Sequence, residues 1–374
     1  RFLCNWMNSR ENMQKIRNRA QTLCKRLSIE VPLLSAPMAG VSTPALVAAF
    51  SNAGGLGFLA GDLLSPEEIV RQAAQVRDLT DKPFGINLRI PPRDRGNRAY
   101  AEKVAYALSD LRKELGLPEE VNLDAFEEPD FEMQLEALLD SGVKVAGCSF
   151  GGYREAYEER LHKAGIFVIG AATTLREAKV QRAAHADAVV LQGFEAGGPR
   201  LYFESEASEA TVGLSVLLSG ASRAIRLPLV AAGGISTTAG AAAALVAGAS
   251  AVMVGTAVAA SPEAAAPALM RKSMMAASDT ATCLTDLFSG RLERVMKNGL
   301  LEALSRAGVK SAGYPFARYI MADVMKAAEG AGRADLLRMP VGQGANVFAC
   351  REASATAKEL ADGLKRVLST GEID

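Results

Sequence analysis

With 374 residues, of which 49% are hydrophobic, the chain is long enough to bury one large α/β core. Its 42 lysines and arginines cancel its 42 aspartates and glutamates. That balance excludes the basic footprint of a nucleic-acid or anionic-membrane binder, and it leaves self-association into a homo-oligomer unopposed by net charge.

Residues Arg1–Trp6 precede Met7 and are too short and too poorly apolar for a secretory signal. They read as an upstream extension, and residues 1–30 as a whole as an N-terminal extension to the fold. Beyond them, short apolar runs alternate with amphipathic segments. Eight runs read as strands buried on both faces: Leu33–Pro37, Leu56–Ala60, Phe84–Leu88, Val143–Cys148, Phe167–Gly170, Ala188–Leu191, Leu229–Ala232 and Ala251–Val254. Helical patterns between them include Pro44–Ala53, Pro66–Leu79, Phe131–Leu139, Arg154–Lys163 and Leu175–Ala184. Ser65 ahead of Pro66, Glu67 and Glu68 is an N-cap signal with proline at the first helical position. Thr174 with Glu177 reads as a capping box.

Eight unbroken alternations predict an α/β fold of the (β/α)8 TIM barrel class over residues 31–261, with an open doubly wound sheet as the alternative. Residues 92–130 are charged, begin with Pro91-Pro92-Arg93-Asp94-Arg95, and predict an excursion on one rim. Residues 262–374 read as helices, with loops near Gly313-Tyr314-Pro315 and Met339–Asn346, in a helical C-terminal extension packed on the barrel. No run of 18 apolar residues predicts a membrane span. The cysteines (Cys4, Cys24, Cys148, Cys283, Cys350) are odd in number and form no Cys-x-x-Cys pair. That pattern argues against a disulfide framework or a metal site and predicts reduced thiols in a cytoplasmic protein.

Chemistry concentrates at the predicted strand ends. After the seventh strand, Gly233-Gly234-Ile235-Ser236-Thr237 is a diglycine and then a hydroxyl cap opening an Ala-rich helix. After the eighth, Met253-Val254-Gly255-Thr256 again runs from strand into glycine. Glycines let backbone N–H groups approach an anion, and a helix start adds unpaired donors, so these two turns predict a phosphate site. Ala36-Pro37-Met38-Ala39-Gly40 ends strand one, where a flat ring has room against backbone. Asn87 ends strand three, and Gln192-Gly193-Phe194-Glu195-Ala196-Gly197-Gly198 ends strand six. Amide side chains both donate and accept, which suits the mixed polar edge of a flavin.

This ordered set resembles the nitronate monooxygenase family, formerly called 2-nitropropane dioxygenases, which also holds FMN-dependent enoyl reductases and an NADH:quinone reductase branch. The resemblance runs from about Leu33 to Leu360. It rests on Ala36–Gly40, Gly85-Ile86-Asn87, Gln192–Gly198, Ala232–Ile235, Val254-Gly255-Thr256 and Gly342-Gln343-Gly344. It implies FMN, with Asn87, Gln192, Gly197, Gly198, Gly233 and Gly234 at the flavin and Met253–Thr256 at its phosphate. Ala36, Pro37 and Met38 would line the ring, and Gln343 would lie on the segment returning toward the site.

The resemblance also exposes a departure. The family's sixth-strand motif ends Glu-Ala-Gly-Gly-His, whose histidine is the usual acid or base; here the motif ends Glu195-Ala196-Gly197-Gly198-Pro199. The chain's two histidines, His162 and His185, fall at the opposite end of the predicted barrel. Tyr202, Arg200, Glu204 and Cys148 are therefore the candidate catalytic groups. A nitronate is already an anion, whereas a neutral nitroalkane needs a base, so poor activity on neutral nitroalkanes is expected. Three functions follow: oxidation or oxygenation of a small organic substrate with O2, an NAD(P)H-dependent FMN reductase, or a repurposed flavin binder without catalysis.

Overall fold

The computed structural model describes residues 10–92, 96–347 and 351–373. Residues Arg1–Trp6, Arg93–Arg95 and the cysteines Cys4 and Cys350 lie outside the described residues. All eight apolar runs form strands: β1 (Leu33–Ser35), β2 (Gly57–Ala60), β3 (Phe84–Arg89), β4 (Val145–Ser149), β5 (Phe167–Ala172) and β6 (Ala188–Gln192) come first. A two-residue strand, β7 (Gly198–Pro199), stands outside the ring, and β8 (Leu229–Ala232) and β9 (Ala251–Val254) complete it. The hydrogen-bonded order is β1-β9-β8-β6-β5-β4-β3-β2, every neighbour parallel. A parallel bridge between Leu34 and Leu56 closes β1 onto β2, so the sheet is a barrel and not an open sheet.

Alternation along each strand divides the core into two layers. Leu34, Phe58, Val145, Ile169, Val190, Val230 and Met253 pack inside the ring. Their neighbours Leu33, Leu59, Ile86, Ala146, Val168, Val189 and Val252 face the surrounding helices. The helix Arg10–Leu27 sends Leu23 and Leu27 into the interior layer, so it seals one end of the ring.

Two local expectations change on contact with the structure. Ser65 and Glu68 do form a reciprocal capping box on the helix Pro66–Leu79. Thr174 caps Glu177 N at 3.2 Å, but the Glu177 carboxylate does not complete the box. It accepts from Thr173 N (2.8 Å), Thr173 Oγ1 (2.7 Å), Phe203 N (2.8 Å) and Glu204 N (3.2 Å), which pins the 200–205 loop. Residues 262–374 are not helices alone. β10 (Thr282–Thr285) and β11 (Glu293–Met296) make an antiparallel hairpin, and β11 also pairs with β7. Helices Ala268–Met275, Gly299–Arg306, Phe316–Gly330 and Ala353–Thr370 complete the segment. In the 92–130 region, helix Arg98–Ala107 packs against Phe316–Gly330, and the buried Arg112 pairs with Asp323 at 2.7 Å. Excursion and C-terminal segment thus meet.

Candidate active site

A cavity of about 460 Å3 opens at the C-terminal ends of the barrel strands, within the range of cofactor-sized sites. Its lining includes Ala36, Pro37, Met38, Asn87, Gln192, Gly197, Gly198, Gly233, Gly234, Met253, Gly255 and Thr256, so one cavity gathers most of the residues singled out above.

One wall is backbone. Gly233 and Gly234 take φ of +115° and +68°, conformations that favour glycine, and they turn the chain from β8 toward Thr237, whose hydroxyl caps helix Thr238–Ala247. Among the described residues no acceptor takes up the N–H groups of Gly234, Ile235, Ser236 and Gly255. Such a set of open donors suits a phosphate group. The Gly342-Gln343-Gly344 segment closes over this wall: Gly342 N donates to Thr256 Oγ1 (3.0 Å) and Gln343 N to Glu195 O (2.9 Å). The fit is close, because a Cβ on Gly197 would stand 2.5 Å from Gly342 N. Gly342 and Gly344 line the cavity, while Gln343 contributes its backbone to the seal and does not line it. Val254 also falls outside the lining, since its side chain lies in the outer layer.

The floor carries the amides. Asn87 Nδ2 donates to Ser149 Oγ at 3.3 Å. Gln192 donates from Nε2 to Pro199 O (3.1 Å) and accepts at Oε1 from Leu201 N (3.0 Å), so this side chain shapes the β6–β7 loop as well as facing the cavity.

The third wall went unread in the sequence. Arg89, Arg291, Arg318 and Arg338 all line the cavity, with Asp62, Phe150, Phe288 and Tyr314. Arg89 donates to the Tyr314 hydroxyl, which in turn donates to Glu128. Arg291 lies 4.5 Å and 4.4 Å from the ring centroids of Phe150 and Tyr202. Arg338 pairs with the fully buried Glu293 at 2.6 Å. Burial lowers the pKa of both Arg291 and Arg318, and the neighbouring Arg89 adds to the shift at Arg318. Alternation could have found Arg89, since Gly85, Asn87 and Arg89 share the inward face of β3. Arg318, Met321, Ala322 and Met325 line the cavity from one face of helix Phe316–Gly330, a spacing that becomes meaningful only once that helix is known to cover the mouth.

The catalytic candidates fare unevenly. Pro199 lines the cavity, opposite Glu293 in the β7–β11 ladder. Arg200 is fully buried and donates to the carbonyls of Ala210 (2.9 Å), Gly193 (2.7 Å) and Gln192 (2.6 Å). Those bonds make it a brace for the loop, and burial lowers its pKa to about 10. Tyr202 and Glu204 do not line the cavity, and the Tyr202 ring lies against Arg291. Cys148 is present only through its strand: its thiol packs in the outer layer, where burial pushes it up to about 12. His162 lies near Glu158 and Asp187 on the helix Glu155–Lys163, away from the cavity, and His185 follows the helix Leu175–Ala183.

Similarity to known proteins follows the same outline. A nitronate monooxygenase family model matches residues 20–365. A protein named "Probable nitronate monooxygenase" from Staphylococcus aureus (strain JH9) is 32% identical over 347 residues, covering 92% of this chain and 98% of that one. Among solved structures, nitroalkane oxidase from Streptomyces ansochromogenes superposes with a TM-score of 0.85 at 33% identity, covering 92% and 98% of the two chains. FabK from Thermotoga maritima gives 0.71 at 25% identity, covering 93% and 96%.

Proposed function

Because the chain belongs to the nitronate monooxygenase family of flavin-dependent oxidoreductases, we propose that it binds FMN and oxidises a substrate that arrives already ionised, a nitronate, with O2 as acceptor. The observation that carries this reading is the pairing of an arginine-lined wall with proline at position 199. The wall attracts an anion, and the loop that would hold a base offers Pro199 instead.

The open N–H groups of Gly234, Ile235, Ser236 and Gly255 support a place for the FMN phosphate, with Asn87 and Gln192 near the polar edge of the ring. Bound FMN would supply the electron acceptor. The chain's own residues would do the rest. Ala36, Pro37 and Met38 would bear the flat ring. Arg89 and Tyr314 would orient substrate oxygens, and Phe150, Phe288 and Met321 would exclude water.

The test is oxygen consumption by the FMN-loaded enzyme with 2-nitropropane supplied either as the nitronate or as the neutral form. Turnover of the nitronate alone is expected; equal turnover of the neutral form would sink the reading. Likeness to FabK supports the NAD(P)H reductase alternative. Rapid anaerobic bleaching of the flavin by NADPH would favour it. A protein that takes up no FMN would favour a repurposed family member.

A further inference from the structure

Methionine is concentrated where the flavin would sit. Five of the chain's twelve methionines, Met38, Met253, Met270, Met321 and Met325, line the cavity, against two of its 42 leucines, Leu63 and Leu201. The two side chains are close in volume and replace one another cheaply in a packed interior, so packing alone gives no reason for the bias. They differ in chemistry: the thioether sulfur is polarisable and is oxidised by peroxide, whereas the leucine carbons are not.

Position separates the five. Met253, Met270 and Met321 are buried. Met38 is half-buried, but it belongs to the Ala36–Met38 segment that would bear the flavin ring. Met325 is half-buried too, and it lies one turn beyond Met321 on the helix Phe316–Gly330, whose Ala322 is exposed at the opening. It thus stands between the flavin's place and solvent. Its sulfur is also held, because Arg338 N donates to Met325 Sδ at 3.0 Å. A sulfoxide oxygen is a stronger acceptor than a thioether, so a donor for the oxidised side chain is already in place.

We propose that Met325 is a sulfoxidation site for hydrogen peroxide formed in the cavity by the enzyme's own turnover. The proposal rests on the functional reading above, in which O2 is the electron acceptor: two electrons and two protons passed to O2 give one hydrogen peroxide. The Met325 sulfur attacks one peroxide oxygen, the O–O bond breaks, and the other oxygen leaves as water with both protons. Sulfur is oxidised by two electrons and the peroxide is reduced by two. The product puts a polar group at the cavity mouth, which should raise KM for an apolar nitronate more than it lowers kcat.

The test cycles the FMN-loaded enzyme with 2-nitropropane nitronate and O2 in excess catalase, and peptide mass spectrometry reads the oxygen added at each methionine. Met325 should gain sulfoxide in proportion to turnovers. Met133 and Met275, 55% and 65% exposed, should stay reduced because catalase clears the bulk solution. Peroxide added to the resting enzyme without catalase should reverse that order. Met325→Leu should abolish the modification with flavin content unchanged, and should hold KM constant over a time course in which the wild-type value rises about threefold. If no nitronate is oxidised, the functional reading fails, but rounds of stoichiometric dithionite and air, counted by flavin absorbance, make peroxide in the same cavity and test the site by itself. Met325 left reduced while the flavin cycles, sulfoxide there that catalase suppresses, or sulfoxide at another cavity methionine instead would overturn the proposal. A chain that takes up no FMN would overturn it together with the functional reading.

Discussion

Pro199 is the residue on which the proposed chemistry turns. The backbone does not require a proline here, because the neighbouring ladder bond is made by Arg200 N to Leu292 O at 2.8 Å. Replacing it with histidine, Pro199→His, should therefore fold and introduce a base at the cavity wall. Turnover of neutral nitroalkanes is expected to rise by about 100-fold, and stopped-time nitrite assays at several pH values would measure it. Glu177 gives the opposite kind of test, since it touches nothing in the cavity. Its buried carboxylate ties down the backbone of Phe203 and Glu204, so Glu177→Ala strands several donors. A loss of about 3 kcal/mol by denaturant unfolding is expected, with Glu177→Gln retaining part of it. In the sequence Glu177 read as a capping residue because Thr174 stands at the right spacing; the long-range partners at 203 and 204 left no local trace. Arg200 was misleading for a similar reason. A charged residue beside a binding motif invites a ligand role, but here its donors are consumed by three carbonyls.

Whole elements were legible where burial imposed a simple period. The eight strands are apolar on both faces because helices cover one side and the barrel interior fills the other. The β10–β11 hairpin broke that rule: Glu293 and Arg294 are buried charged residues in a strand, so the segment carried no apolar alternation. The arginine wall was equally hidden, since three of its members reach the cavity from outside the barrel strands. At this scale the helix Phe316–Gly330 is the element to probe. Its Ala322 lines the cavity but remains exposed, which puts it at the opening. Ala322→Trp should narrow that opening, raising KM for long substrates by about tenfold while flavin content stays at the wild-type level. Steady-state kinetics with nitronates of increasing length would measure it.

The molecule as a whole should be more sensitive to alkali than its neutral charge balance suggests. Burial raises the thiols of Cys24 and Cys148 from the ordinary 9.0 to about 12. Each thiol holds its proton more tightly folded than unfolded. The stability it contributes is whole below pH 9 and is lost as the pH climbs toward about 12. The slope should start near half of about 1.4 kcal/mol per pH unit per thiol at pH 9 and approach that full value between pH 10 and 11, and Cys24→Ala with Cys148→Ala should flatten a melting-temperature profile over that window. The ring of strands has one more property of the whole. Seven of its eight joints are ladders, but β1 meets β2 at a single bridge, Leu34 with Leu56, through Leu56 N to Leu33 O and Ser35 N to Leu56 O, with Phe58 N donating to Ser35 Oγ at 2.9 Å beside it. That joint is a seam, where thermal breathing should part the staves first. Ala36, Pro37 and Met38 continue directly from β1, so a ring stacked on them would act as a hasp across the seam. Amide exchange at Ser35 and Leu56 would then slow on flavin loading far more than exchange at β5, and the prosthetic group would serve as a fastening of the barrel as well as its redox centre.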